Sequence, residues 1–139
     1  MYEVVIDTNV LVSALRSKRG ASHELVRSLG QGQWQPTISV ALALEYEDVL
    51  KRSGLIEALD EAAIDDFLNY LFREARLVPS VVRRRPTLRD PDDERILELA
   101  ITSGAMIITH NTKHFSEALR FGIDIETPAR FLKTLRQDP

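Results

Sequence analysis

The sequence contains no cysteine, which excludes both disulfides and thiolate metal sites. Only three histidines are present, His23, His110 and His114, which argues against a zinc site. A metal bound by this chain would rest on oxygen ligands, and those select a hard cation such as Mg²⁺ or Mn²⁺. No apolar run approaches the ~20 residues that cross a bilayer. No signal-like segment opens the chain either, because Met1 leads directly into a short strand-like stretch ending at Asp7. The expectation is a cytoplasmic protein with no membrane association. Repeats, low-complexity segments, G-x-G-x-x-G and the P-loop are all missing, so a nucleotide-binding Rossmann domain is not expected. Neither sign of charge dominates. Lys and Arg total 18 against 21 Asp and Glu, leaving a formal charge of −3, without the basic surplus of a protein that coats nucleic acid nonspecifically. A polyanion would be drawn by a local basic patch, or to acids neutralised by metal.

What is there suits one globular domain spanning 1–139, with 44% apolar and 28% charged residues. Tyr2 to Ile6 reads as a buried parallel strand stopping at Asp7. Asp7, Thr8 and Asn9 offer oxygens for a helix start. A second helix is expected from His23 to Leu29, closed by Gly30 and Gly32. Trp34 to Ile38 reads as a strand, and Ser39 caps a helix running to about Arg52. A longer amphipathic helix follows from Glu61 to Glu74, then a strand from Ala75 to Val78. Ser80 to Asp90 has no clear period. Asp90-Pro91 opens a helix that continues to about Ser103 and stops at Gly104. Ala105 to Thr109 is the most convincing buried strand. A short helix from Lys113 to Arg120, a strand from Ile123 to Ile125 and a final helix from Pro128 complete the chain. Five strands alternating with helices predict an α/β fold, a parallel sheet covered on both faces.

Ligands of open parallel sheets bind at the carboxyl ends of the strands. Asp7 ends the first strand there, Asn111 lies just past the fourth, and Asp93 lies in the first turn of the helix opened by Pro91. Glu45 falls within a helix, at the edge of the inward stripe of Leu42, Tyr46, Val49 and Leu50 when residues advance by about 100° each. A carboxylate turned inward is costly unless paired or metal-bound. Blander readings exist: Asp7 as an N-cap, Glu45 reaching solvent or pairing with an Arg, Asp93 as a partner of the helix dipole. Yet Asp90, Asp92, Asp93 and Glu94 place four acids within five residues, more than capping uses. Asp7, Glu45 and Asp93, far apart in sequence, can meet at one sheet edge. Together without a counter-ion they would repel. A divalent ion removes that repulsion and activates water for attack on a phosphodiester. Thr8, Thr109 and Asn9 can fix metal-bound waters or cap helix ends.

These residues carry a resemblance. Val4-Val5-Ile6-Asp7-Thr8-Asn9 through Ala14 resembles the first motif of PIN domains. Ser39 to Tyr46, with Glu45, resembles the second. Asp90-Pro91-Asp92-Asp93 through Ala100 resembles the third, and Ile107 to Phe115 the fourth. Thr127 to Leu132 is similar to the family's last helix. The resemblance implies a three-layer α/β/α fold with strand order 3-2-1-4-5. It also implies metal-dependent hydrolysis of RNA, with Mg²⁺ or Mn²⁺ as cofactor. Many such domains are VapC-like toxins, usually dimeric and paired with an antitoxin. On that resemblance Asp7 and Asp93 ligate the metal, with Glu45 direct or through water and orienting the attacking water. Asn111 supports the site, as do Asn9, Thr109 and Asp92. Lys113 and His114 flank it and can touch phosphates. Arg83, Arg84, Arg85 and Arg89 can guide RNA or an acidic antitoxin, or simply form a solvated loop. One departure is that Asn111 stands where the family commonly has Asp, which removes a charge but keeps a carbonyl oxygen.

Two other functions fit less of the sequence. A PIN-like module that binds RNA or protein without cutting would explain Asn111, and predicts RNA binding indifferent to metal. A phospho-accepting receiver domain needs an Asp at the end of the third strand, where this chain has Leu77-Val78-Pro79.

Overall fold

The computed structural model describes residues 1–52, 54–83 and 90–137. Five strands, β1 (Tyr2–Ile6), β2 (Trp34–Ile38), β3 (Arg76–Leu77), β4 (Met106–Ile108) and β5 (Ile125–Glu126), form one sheet. The order is β3-β2-β1-β4-β5 and every pairing is parallel. The helices are α1 (Thr8–Arg16), α2 (Ala21–Arg27), α3 (Val40–Leu50), α4 (Glu61–Glu74), α5 (Pro91–Ser103) and α6 (Pro128–Gln137). Among the helices, α1 packs against α2 and α3, α2 against α6, and α3 against α4 and α5. The three-layer α/β/α arrangement and the strand order both agree with the sequence expectation. Among the described residues no helix is long and apolar enough to cross a membrane.

The central strands explain why the layers form. Val4, Val5, Ile107 and Ile108 are completely buried, which follows when both faces of a parallel sheet are covered. In the ladder Ile6 pairs with Ile108, so β1 and β4 end level. Asp7 continues that ladder by donating its N–H to Ile108 O at 2.9 Å. Residues just after Ile6 and Ile108 are therefore held side by side at the carboxyl edge. Both outer strands, β3 and β5, are only two residues long, which leaves little unpaired edge.

Most boundaries lie within two residues of expectation, and the departures have local causes. The last strand begins at Ile125 rather than Ile123, because Ile123 N–H bonds Ala118 O and is spent on the turn at Gly122. The segment Thr112–Phe121 is a 3₁₀ helix kinked at Phe115, whose fully buried ring fixes it to the core. Helix α2 ends before Leu29, since Ser28 turns to bond Leu25 O and receives the Trp34 indole N–H at 2.7 Å.

Gly30 is positioned by the same turn. Its φ is +84°, and a Cβ added there would lie 2.1 Å from the Tyr70 hydroxyl. That hydroxyl donates to Leu29 O at 2.8 Å. Gly32 has a similar φ of +88°, but a Cβ added there would meet nothing within 4 Å. Gly30→Ala is accordingly expected to destabilise by about 2–3 kcal/mol and Gly32→Ala by only ~1, read from urea melts. Equal losses would mean that backbone strain alone sets both.

Candidate active site

The acids identified in the sequence come from three elements. Asp7 follows β1, Asp93 lies in the first turn of α5, and Glu45 sits midway along α3. Asp7 occupies the N-cap position of α1, yet its carboxylate makes no capping hydrogen bond. It instead accepts the Thr109 hydroxyl at 2.8 Å, just past β4. The same Thr109 oxygen accepts the Asn111 N–H at 3.0 Å, so one fully buried hydroxyl ties the ends of β1 and β4 together. Burial pushes the Asp7 pKa up, opposed by Thr109, the Asn9 and Thr8 amides and the nearby His110.

Asp90 takes over the capping of α5, accepting Asp92 N–H at 2.9 Å, which leaves Asp93 unused by the helix start. Asp93 is held up to about 6, chiefly by burial, then by the charges of Asp7, Asp90 and Asp92, with His114 opposing. His114 Nδ1 lies 3.6 Å from Asp93 Oδ2. Asp7 and Asp93 are thus two partly desolvated carboxylates whose charges repel.

Glu45 lies to one side of that pair. Its side chain is only 10% exposed. Oε2 accepts the Thr8 hydroxyl, while Oε1 is buried without a hydrogen-bond partner among the described residues. Burial raises its pKa and Asp92 raises it further, whereas Thr8 and Arg95 lower it. Arg95 Nη1 stands 4.0 Å from Glu45 Oε1 and 3.5 Å from Asp92 Oδ1. The site therefore has two halves, Asp7 with Asp93 and Glu45 with Asp92, joined through the adjacent residues Asp7 and Thr8. Among the described residues no three His, Asp or Glu side chains close on a single point.

Tyr46 braces the two halves from beneath. Completely buried, it donates its hydroxyl to Ile6 O, at the end of β1. Burial and the charges of Asp7 and Glu45 hold the phenol far above its usual range, so it remains a donor. Tyr46→Phe is expected to lower stability by about 1–2 kcal/mol, measured by thermal or urea unfolding. No change would mean that the bond only replaces one made with water.

The other residues singled out in the sequence are placed at the rim. Asn111 is exposed and caps the 3₁₀ segment through its backbone, accepting His114 N–H at 3.0 Å. Asn9 and Lys113 are exposed. Asp92 is exposed and contributes to the Glu45 half. Arg83 is exposed, whereas Arg84, Arg85 and Arg89 lie outside the described residues. Sequence reasoning missed Arg95 and His110. The three-residue spacing of Asp92 and Arg95 on one helix was the available signal for the first. His110, whose Nε2 lies 3.2 Å from Ser22 Oγ, had none.

The donor set fits a small divalent cation on chemical grounds. It consists of oxygens alone, the charges of Asp7 and Asp93 repel, and a buried Glu45 oxygen has no hydrogen bond among the described residues. Mg²⁺ in particular is commonly held by one or two carboxylates, with water and substrate phosphate filling the other positions. Two acids are enough for that.

A parallel sheet in this order, with acids gathered at its carboxyl edge, defines a known class. The sequence matches the PIN domain family across residues 3–113, and the chain belongs to that family. Among solved structures it is similar to VapBC2 from Rickettsia felis, determined bound to a DNA fragment from their promoter. The identity is 14%, covering 90% of this chain and 98% of that one, with a TM-score of 0.64. VapBC-1 from nontypeable Haemophilus influenzae is 13% identical over 91% of this chain and 98% of that one, with a TM-score of 0.62. A PilT N-terminus domain protein from Sulfolobus solfataricus P2 is 12% identical over 96% and 92% respectively, at 0.56. At these identities the likeness is one of fold. Comparison with curated proteins finds no significant match.

Proposed function

We propose that this chain is a Mg²⁺- or Mn²⁺-dependent endoribonuclease, the toxin of a toxin–antitoxin pair, acting in the cytoplasm. The observation that carries the reading is the pair Asp7 and Asp93 at the carboxyl edge of the sheet, Asp7 fixed by the Thr109 hydroxyl and Asp93 lifted by burial and by the charge of Asp7. Such a pair at the ligand-binding edge of a parallel sheet is disfavoured until a cation joins it. In this reading Asp7 and Asp93 hold the metal, with Glu45 reaching it directly or through water. Bound there, the ion would supply charge neutralisation at a phosphodiester and a more acidic water.

The chain's own residues do the rest. Thr109 fixes the Asp7 carboxylate and so the metal-facing oxygen. Glu45, steadied by the Thr8 hydroxyl, orients the attacking water and takes its proton. Asn111 and Asn9 support the outer ring of waters, and exposed Lys113 and His114 meet flanking phosphates. Water attacks phosphorus, the bond to O3′ breaks, and the departing oxygen takes up a proton. The products carry a 5′-phosphate and a 3′-hydroxyl. End-group analysis of RNA cut in Mg²⁺ tests this. A 2′,3′-cyclic phosphate would mean that the ribose hydroxyl attacked, and would contradict the scheme.

The antitoxin partner is proposed from the VapBC relatives, whose names join two components, and the homodimer from the family resemblance alone. A second reading rests on Asn111, the uncharged residue at the fourth motif. A binding module would hold RNA with equal affinity in Mg²⁺ and in EDTA, and would cut none.

A further inference from the structure

Within the nuclease reading, on which this inference rests, the Glu45 half of the site has a distinct electrostatic character. Helix α3 delivers Glu45, and α5 delivers Asp92 and Arg95 one turn apart. The Glu45 carboxylate is nine-tenths buried, with Oε2 on Thr8 and Oε1 lacking a hydrogen bond among the described residues. The cationic group beside that oxygen is Arg95, at 4.0 Å from Glu45 Oε1 and 3.5 Å from Asp92 Oδ1. Both separations exceed the ~2.7–2.9 Å of a direct charge-assisted hydrogen bond. The guanidinium therefore stands between the two acids as a shared counter-charge, donating a long hydrogen bond to Asp92 Oδ1 and lying within ion-pair reach of Glu45 Oε1.

The Asp7–Asp93 half is different in kind. Among the described residues its neighbouring basic groups are imidazoles, His114 at 3.6 Å from Asp93 and His110 close to Asp7. Guanidinium is charged at every pH at which the chain folds, and it has no lone pair with which to join a metal's ligand set. The Glu45–Asp92 pair thus has a guanidinium between its carboxylates, which the Asp7–Asp93 pair lacks among the described residues.

We infer that Arg95 is a built-in second cation: it neutralises Glu45 and Asp92, keeps a second divalent ion from settling between them, and makes this a one-metal site. Its presence also compensates for Asn111, because a site that lacks an acid at the fourth motif needs to hold only one ion. Once RNA arrives, the unspent N–H groups of the half-exposed guanidinium are free to meet a phosphate from the solvent side.

The test is calorimetric titration of Mn²⁺ into the wild type, Arg95→Ala and Arg95→Lys, without RNA, beside thermal melts. Arg95 is 51% exposed, so the variants are expected to fold as the wild type does. One Mn²⁺ should bind the wild type and Arg95→Lys. Arg95→Ala should bind two, and adding Asp92→Asn should return it to one. Two ions on the wild type, or a single unchanged ion on Arg95→Ala, would overturn the inference and leave the nuclease reading intact. No Mn²⁺ on any of these proteins would overturn both together.

Discussion

Asp93→Asn is expected to make the metal-free protein more stable near neutral pH while abolishing its response to Mg²⁺. The sign follows from the Asp93 pKa, which lies at about 6 in the folded protein against an ordinary value of 3.8. Between those values the folded state binds more protons than the unfolded one, so stability falls as pH rises through that window. Above about 6 the whole penalty is present, and below 3.8 it is gone. Asp7 and Glu45, also raised, act in the same direction. An amide at position 93 carries no charge to desolvate and no repulsion from Asp7. Melting temperature of the metal-free variant should therefore exceed the wild type's at about pH 7–8 and approach it near pH ~4. With Mg²⁺ the order reverses. A ligand at about a hundred times its dissociation constant stabilises by ~2.7 kcal/mol, a gain the wild type has and the variant lacks. A variant less stable than wild type in EDTA would show that Asp93 serves as a structural anchor.

The second large effect is expected at Thr109. Its hydroxyl is completely buried, donates to Asp7 Oδ2 at 2.8 Å and accepts Asn111 N–H at 3.0 Å. Valine keeps the shape and removes both bonds. A hydrogen bond to a charged group is worth about 1.5–3 kcal/mol, and leaving the Asn111 amide unpaired adds to the loss. Thr109→Val should therefore unfold more easily by about 2–4 kcal/mol in urea. Its kcat/KM should fall about 10- to 100-fold, as when the partner orienting a metal ligand is lost. Thr109→Ser, which restores the hydroxyl, should recover most of the activity. If serine restores stability and leaves cleavage low, the hydroxyl holds the strands together without orienting Asp7.

Much of this was legible in the sequence because local signals and burial agree. β1 and β2 match their expected bounds, since Asp7 and Ser39 end each strand at the N-cap of the helix that follows. α5 was bounded by Asp90-Pro91 and Gly104, which adopt the cap and left-handed conformations those residues favour. The short helix from Lys113 to Arg120 is legible, but its 3₁₀ form and kink are not, because they depend on where the Phe115 ring docks. The inward bias of Asp7, Glu45 and Asp93 was also readable from the strand end and helical spacing. Their division into two halves was not. It depends on how α5 lies against α3, which puts Asp92 and Arg95 beside Glu45. Arg95 sits on an exposed face in any single-helix reading, and only that packing gives it a partner across the site.

The central claim is that the Asp7–Asp93 pair holds the ion on which RNA cutting depends. Cleavage of end-labelled RNA by the purified, antitoxin-free protein in Mg²⁺, Mn²⁺ or EDTA, beside Asp93→Asn, tests it most directly. Cutting in either metal, none in EDTA and none by folded Asp93→Asn is the predicted result. Cutting that persists in EDTA or in Asp93→Asn, or a folded wild type that cuts nothing across a broad RNA panel, would contradict it.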